Sequence, residues 1–448
     1  MLRRTLAVVW LSPLSLWLGG CASYTDDVRE MTNAFKAGDY NSALTTFEKS
    51  EIKTQDRNRL LYYLEKGTIE DRLSERKESR TLWMKADKLA DDLYTTSISK
   101  AAASFLYNDS ATPYGGEDYE KVAIHTMLAH SFLSDNQLQD ARVEAAKINS
   151  KLNEINGFYK DNKNKYRDDA YARYLSGLIW ESSGEPDSAI VDYRAALKVY
   201  ESDYSSTFNV SAPRDLVRGL YRLYLVRNRK DEARILADSY KELNLTKVDP
   251  NAASVVVVHE VGVINEKRAE GFVIPIGSEI TRFSFPVIRK QGVAFRQTGV
   301  RLNDGLFEPG ELAQNFNAIA YESLEDRRLR MIAKSMARLI LKSQMTQRAE
   351  KELGALGLIA GSIYGAVTET ADTRGWVTLP AAIYVTRVFV KPGEYSIEIS
   401  NNGRTSDIKK VHLKPGQLVL MRDAAAGKLR EAPERPNSGQ QRFQSSSP

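Results

Sequence analysis

The stretch YLSGLIWESSGEPDSAIVDYRAALKVY, residues 174–200, decides how the first half of this chain is read. Its apolar residues recur at three- and four-residue intervals, the spacing of one helix face. Gly184 breaks the run, so two helices and a turn are expected. Gly177 and Trp180 fall on the first helix, and Ala189, Tyr193 and Ala196 on the second. Small residues allow two helices to approach closely, while aromatic residues fill the space beside the pair.

This arrangement resembles a tetratricopeptide repeat, and weaker copies of it lie on both sides. AFKAGDYNSALTTFEKS (34–50) carries Gly38, Tyr40, Ala43 and Phe47. YLEKGTIEDRLSERKESRTLWMKA (63–86) offers Gly67, Ser79 and Trp83. HTMLAHSFLSDNQLQDARVEAAKI (125–148) has Ala129, Phe132, Asn136, Ala141 and Ala145, and YRLYLVRNRKDEARILADSY (221–240) has Tyr224, Asn228, Ala233 and Ala237. About five irregularly spaced units between residues 25 and 245 predict a degenerate solenoid. Such arrays stack into a concave surface whose common role is to hold a peptide or another protein.

Past Asp249-Pro250 the texture changes. SVVVVHEVGV reads as a buried β-branched strand, and EGFVIPIG, ITRFSFPVI and VAFRQTGVRL follow with Gly and Pro between them. AAIYVTRVFV, GEYSIEIS, IKKVHL and GQLVLMR alternate similarly near the C-terminus. Lys391-Pro392-Gly393 and Lys414-Pro415-Gly416 suit type II turns, because proline presets φ and glycine accepts a positive one. An antiparallel sandwich is expected. Residues 311–353 contain neither Pro nor Gly and read as one long helix with a solvated basic and acidic face. The glycine-rich run 353–367 then reads as a buried, closely packed helix, with shallow membrane contact or an oligomer contact as the alternatives.

The fold expected is therefore α+β. An all-α tetratricopeptide-like solenoid over 21–248 precedes a β-rich, sandwich-like domain over 249–423, which carries a helical insertion at about 311–367. A signal peptide at 1–20 and a disordered tail at 424–448 complete the chain.

The N-terminus has Arg3 and Arg4, then an apolar run from Leu6 to Leu18 interrupted by Pro13. That run falls short of the ~20 residues a spanning helix needs, so it reads as a cleaved signal. Leu18-Gly19-Gly20-Cys21 resembles the lipobox of bacterial lipoproteins. The resemblance implies a diacylglycerol on the Cys21 thiol, with cleavage leaving that cysteine first. It also implies sorting to the outer membrane, since Ala22, Ser23 and Tyr24 follow rather than aspartate. Cys21 is the one cysteine in 448 residues, so disulfides within the chain are excluded. The formal net charge is +5, with both signs interspersed, which argues against nucleic acid as a partner.

Two loops draw attention as partner-binding candidates. Tyr114, Gly115, Gly116 and Glu117 stand where a Pro and Gly break precedes an apolar helix. They read either as a loop inside the concave face or as ordinary helix entry, with acidic residues complementing the helix dipole. Asp372, Arg374 and Trp376 read either as a ligand site or as a polar corner. In the corner, Asp372 accepts from backbone amides and Arg374 pairs with a carboxylate.

No catalytic constellation emerges. His125 and His130 lie five residues apart and do not share a helix face. His259 sits in a strand, and the sequence has no Walker or G-x-S-x-G motif. No cofactor, metal site or enzymatic activity is expected.

YGGEDYEKVAIH, SVVVVHEVG, ADTRGWVTLPAAIYVTR and KPGEYSIEI together resemble a family of proteobacterial outer-membrane lipoproteins with tetratricopeptide-like repeats. Its members tend to be encoded near small lipoproteins similar to penicillin-binding-protein activators. That resemblance implies a role in envelope assembly and transfers no site residue. The expected function is a lipid-anchored periplasmic scaffold that binds envelope proteins through its repeat groove. The alternative is a peptidoglycan-binding lipoprotein that uses the β-rich domain.

Overall fold

A computed structural model describes residues 24–424, apart from 101–109, 111, 159–164, 277–278, 291–297, 304, 354–370, 402–403 and 407. The signal segment, Cys21, nearly all of the glycine-rich run and nearly all of the tail lie outside the described residues.

Thirteen α-helices are described: α1 (Tyr24–Asp27), α2 (Arg29–Ala37), α3 (Tyr40–Lys49), α4 (Arg59–Arg72), α5 (Arg76–Lys100), α6 (Asp118–Ser134), α7 (Leu138–Phe158), α8 (Ala170–Ser182), α9 (Pro186–Val199), α10 (Ser205–Phe208), α11 (Arg214–Val226), α12 (Lys230–Ser239) and α13 (Phe316–Leu353). Five pairs form hairpins, and all five close in the same way. One turn residue in each takes a left-handed backbone: Gly38 (φ 81°), Ser74 (69°), Asn136 (56°), Gly184 (79°) and Asn228 (54°). The next amide bonds back five residues, from Asp39 to Ala34, Glu75 to Glu70, Gln137 to Phe132, Glu185 to Trp180 and Arg229 to Tyr224, at 2.8–3.0 Å. That is the Schellman closure, which satisfies carbonyls orphaned at a helix end. The helical half is thus five copies of one tetratricopeptide-like unit. Within the 174–200 hairpin, a Cβ on Gly177 would lie 2.3 Å from the Tyr193 ring, so only glycine permits that approach.

Eleven strands follow: β1 (Ala253–Val261), β2 (Lys267–Ile276), β3 (Glu279–Ile288), β4 (Gly299–Leu302), β5 (Phe307–Pro309), β6 (Glu311–Asn315), β7 (Ala382–Val390), β8 (Gly393–Asn401), β9 (Arg404–Thr405), β10 (Lys409–Leu413) and β11 (Leu418–Asp423). One sheet has the order β11-β1-β7-β6; a second runs β10-β8-β4-β5, with β9 on β8; β2 and β3 pair by themselves. Strand β1 is buried along its whole length because it serves two cores. Ala253, Val255 and Val257 pack on Val300, Ile397, Ile399 and Leu413 of the second sheet. Val256 and Val258 join the helical core with Ile383, Val385 and Leu418. The period-two alternation of a strand sends successive valines to opposite faces.

The structure departs from sequence expectation at four points. Strand β11 runs parallel to β1, so the sandwich is mixed rather than antiparallel. Glu311–Asn315 is an edge strand on β7 rather than the start of the long helix. The helix begins at Phe316, where Asn315 caps it by accepting from the Ala318 amide at 3.0 Å. Gly416 forms the expected turn, with φ 68° and the Gln417 amide on Lys414 O at 3.1 Å, whereas Gly393 is already the first residue of β8.

The fourth departure concerns the surface expected to bind a partner. The first helices of the hairpins, α4, α6, α8 and α11, pack toward the β11-β1-β7-β6 sheet, and their core is continuous with it. The face that a repeat array offers to a partner is occupied here by the chain's own sheet. The expected binding groove is filled from within.

Candidate functional site

The two loops singled out in the sequence, more than 250 residues apart, meet at one end of this helix–sheet seam. Gly116 (φ 79°) turns the chain, and Glu117 caps α6 in a reciprocal capping box with Glu120. The Tyr114 hydroxyl donates to Glu120 Oε2 at 2.6 Å, while the Trp376 amide donates to Glu120 Oε1 at 2.7 Å. Arg374 grips Asp372 (2.7 Å), donates to the carbonyl of Thr112 (2.8 Å) and lies 5.2 Å from the centre of the Tyr114 ring. Lys267 bridges the loops, donating to Glu117 and to the Arg374 carbonyl (2.8 Å). Trp376 stacks obliquely on Trp83 at 6.2 Å, and its indole N–H donates to Thr68 at 2.9 Å.

Six of the seven residues therefore belong to one clasp: Tyr114, Gly116, Glu117, Asp372, Arg374 and Trp376. A Cβ on the seventh, Gly115, would meet nothing within 4 Å. Tyr114, Glu117, Arg374 and Trp376 are buried, and their contacts are with this chain itself. Both corner features read from the sequence are present: Asp372 accepts the Arg374 amide (3.1 Å) and pairs with the guanidinium.

The clasp also contains Glu65 of α4, which carried no sequence signal. It accepts from Tyr24 (3.1 Å), the Val377 and Thr378 amides (2.7 and 3.1 Å) and the Thr378 hydroxyl (2.5 Å). Burial pushes its carboxyl up to about 7 against these donors. Burial likewise raises Glu120. Burial also acts to raise Glu117, but Arg327 and Lys267 overcome it and hold that carboxyl well below the usual range.

Further along the seam two more ion networks are buried. Arg422 of β11 binds Asp71 (2.6 Å) and Glu260 (2.7 Å), Arg72 reaches Glu260 (2.5 Å), and His130 links Glu260 (2.7 Å) to Tyr171 (2.6 Å). Burial lowers the His130 pKa against the opposing effect of Glu260. Beyond it, Glu181 holds both Arg222 (2.5 Å) and Arg387 of β7 (2.5 Å), and accepts from Tyr193 at 2.6 Å. His125 sits apart between Glu144 (2.8 Å) and Asp87 (3.3 Å), which raise its pKa against the effect of burial. The sequence could not pair these groups, because each partner comes from a distant element.

At the other end the seam is open. A cleft of about 600 Å³ lies between the helix-to-sheet connection and β7, lined by Leu243, Lys247, Val248, Arg387, Phe389 and Lys391 among others. That volume suits a small molecule or a few side chains. Among the described residues no cluster of His, Cys, Asp and Glu suits a metal, and no helix is long and apolar enough to cross a membrane.

Neither a family model nor a curated protein matches this chain. Solved structures do. MamA AMB-1 aligns over 48% of this chain and 88% of its own, at 16% identity and a TM-score of 0.30. A Podospora anserina putative kinesin light chain with nearly identical TPR-like repeats aligns over 50% and 95%, at 12% identity and 0.32. BtubC from P. vanneervenii aligns over 50% and 80%, at 16% and 0.30. The reading of the helical half rests on its own five hairpins.

Proposed function

We propose that the protein is a non-catalytic scaffold, held by a lipid on Cys21 at the periplasmic face of the outer membrane, that gathers envelope proteins. The observation that carries the binding role is a contrast within the molecule. The body is locked by buried ion pairs and exposes apolar side chains such as Val191 and Ile235 on separate helices, whereas the hairpin β2–β3 and the helix α13 packed beside it both hold apolar side chains in solvent. Phe272 and Val273 are 49% and 62% exposed, and Leu329 is 76% exposed. Water disfavours exposed apolar side chains of this kind, and a protein partner would cover them.

The lipid reading rests on Leu18-Gly19-Gly20-Cys21. Two or three acyl chains on one residue give stable anchoring, at about 0.8 kcal/mol per buried CH₂. Tyr24 is already buried against Glu65, so the tether would be three residues long and span at most about 10 Å. The body would lie directly against the headgroups, where restriction to a surface raises the effective concentration of whatever it binds.

Two measurements test this. Cys21→Ser should leave the urea midpoint of the purified protein unchanged and move the protein from membrane to soluble fractions. A variant that stays in the membrane would sink the lipid assignment. A photo-crosslinker placed at Phe272 or Leu329 should capture one or two envelope proteins in cells, and one at Val191 on α9 should not. Equal capture from all three positions would sink the arm as the binding element.

A further inference from the structure

The open end of the seam carries a second binding element. Strand β7 pairs with β1 over its whole length, Ala382–Val390, but β6 covers its other edge only from Ala382 to Val385. Beyond Val385 no strand among the described residues pairs with that outer edge, although Gly310 approaches Thr386 and β5 lies close to β7. The direction of its main chain follows from two bonds. The Arg387 amide donates to Asp215 Oδ2 on α11 at 3.3 Å, and the Ala381 carbonyl accepts from the Asn317 amide at 3.2 Å. Odd-numbered residues therefore turn their main-chain groups away from β1. By the alternation of a strand, the Arg387 carbonyl and both main-chain groups of Phe389 face outward. An uncovered edge of this kind is a template for another strand.

The cleft runs along this edge, with Leu243, Val248 and Val388 supplying apolar wall. Its charges are unequal. Arg218, Lys247, Arg387 and Lys391 line it against Asp249 and Glu308. Arg218 and Arg387 are committed to Asp215 and Glu181. Lys247 and Lys391 make no ion pair among the described residues. Arg387 itself is fully buried at the floor, its Nε without a hydrogen-bond partner.

We propose that an extended acidic peptide segment of a partner protein adds as a strand to the outer edge of β7 at Arg387–Val390. Its backbone bonds to Phe389 and the Arg387 carbonyl, and its carboxylates pair with Lys247 and Lys391. Main-chain bonds supply affinity in this mode, and the flanking charges supply selectivity. The chain's own tail is a poorer occupant, since residues 425–448 carry four basic residues against two acidic ones. The proposal rests on the scaffold reading and names a partner chemistry for it.

The test uses the full-length protein and a fluorescein-labelled ten-residue peptide of alternating valine and glutamate, read by anisotropy. Binding that weakens with salt is expected, at least tenfold weaker when lysine replaces glutamate and when alternate peptide amides are N-methylated. Lys247→Glu with Lys391→Glu should reverse the preference between the two peptides. Phe389→Pro removes the outward N–H together with the ring that lies over Arg387 and should abolish binding, while Phe389→Ala, which removes the ring alone, retains most of it; circular dichroism and urea unfolding check the fold of each. Equal binding of the glutamate and lysine peptides, or of the N-methylated one, overturns the proposal. So does a large gain in affinity on deleting residues 425–448, which would make the tail the occupant. Loss of peptide binding with intact capture at Phe272 would sink the edge and leave the scaffold standing.

Discussion

The two ends of the helix–sheet seam are built from the same kinds of residue and finish differently. At the Trp376 end, donors and carboxylates from α4, α6, β2 and the 372–378 loop meet inside the protein. At the Phe389 end, the sheet runs past its last covering strand, and two lysines stand beside an unpaired edge. The difference teaches where to look for a partner. Buried, mutually satisfied polar groups fix geometry, whereas an unpaired edge with unpaired charge is free to bind.

The comparison is broken most severely at the centre of the seam. Arg422→Ala would leave buried Asp71 with only the longer Arg72 contact at 3.5 Å and remove one of two guanidinium partners from Glu260. Loss of one partner of a buried pair costs about 3–5 kcal/mol. Urea unfolding should show a loss of that size, and a loss under about 1 kcal/mol would mean the seam does not hold the halves together.

A smaller effect is expected from Gly177→Ala. The new methyl group meets the Tyr193 ring, whose hydroxyl is bound to Glu181 beneath the open end. Overpacking should cost about 1–3 kcal/mol, less roughly 1 kcal/mol regained in helix propensity. An unchanged urea midpoint would show that the ring moves freely and that Arg387 is not set by this packing.

The smallest effect sharpens the closed end. The folded Glu65 pKa, about 7, lies above its unfolded value, so Glu65 binds more protons folded than unfolded between about pH 4.5 and 7. Its contribution is greatest below that window and is lost as pH rises through it. The stability of wild type relative to Glu65→Gln should therefore fall by about 1 kcal/mol between about pH 5.5 and 6.5. A constant difference would place the titration elsewhere.

The sequence made the repeats legible because each hairpin is a local object. The left-handed turn residues, the small residues at the crossing and the 3.6-residue periodicity all lie within about 40 positions. Strand β1 was legible for a similar reason, since a run of four valines needs burial on both faces. The helical start at 311 was misread because Glu311–Asn315 is held in strand form by β7, some 70 residues away, and propensity does not see that partner. Asp372 and Arg374 were legible as a corner because they bond each other locally.

What tertiary structure alone decided is which surfaces remain for a partner. Sequence determined that there would be a stack of helical pairs and a sandwich. It did not determine that the sandwich would fill the stack, because the groups that bind them, such as Glu65 with Thr378, Asp71 with Arg422 and Glu181 with Arg387, carry no local pattern. Burial and pairing are properties of a meeting between distant segments. The same meeting closed the expected groove and left the edge of β7 open.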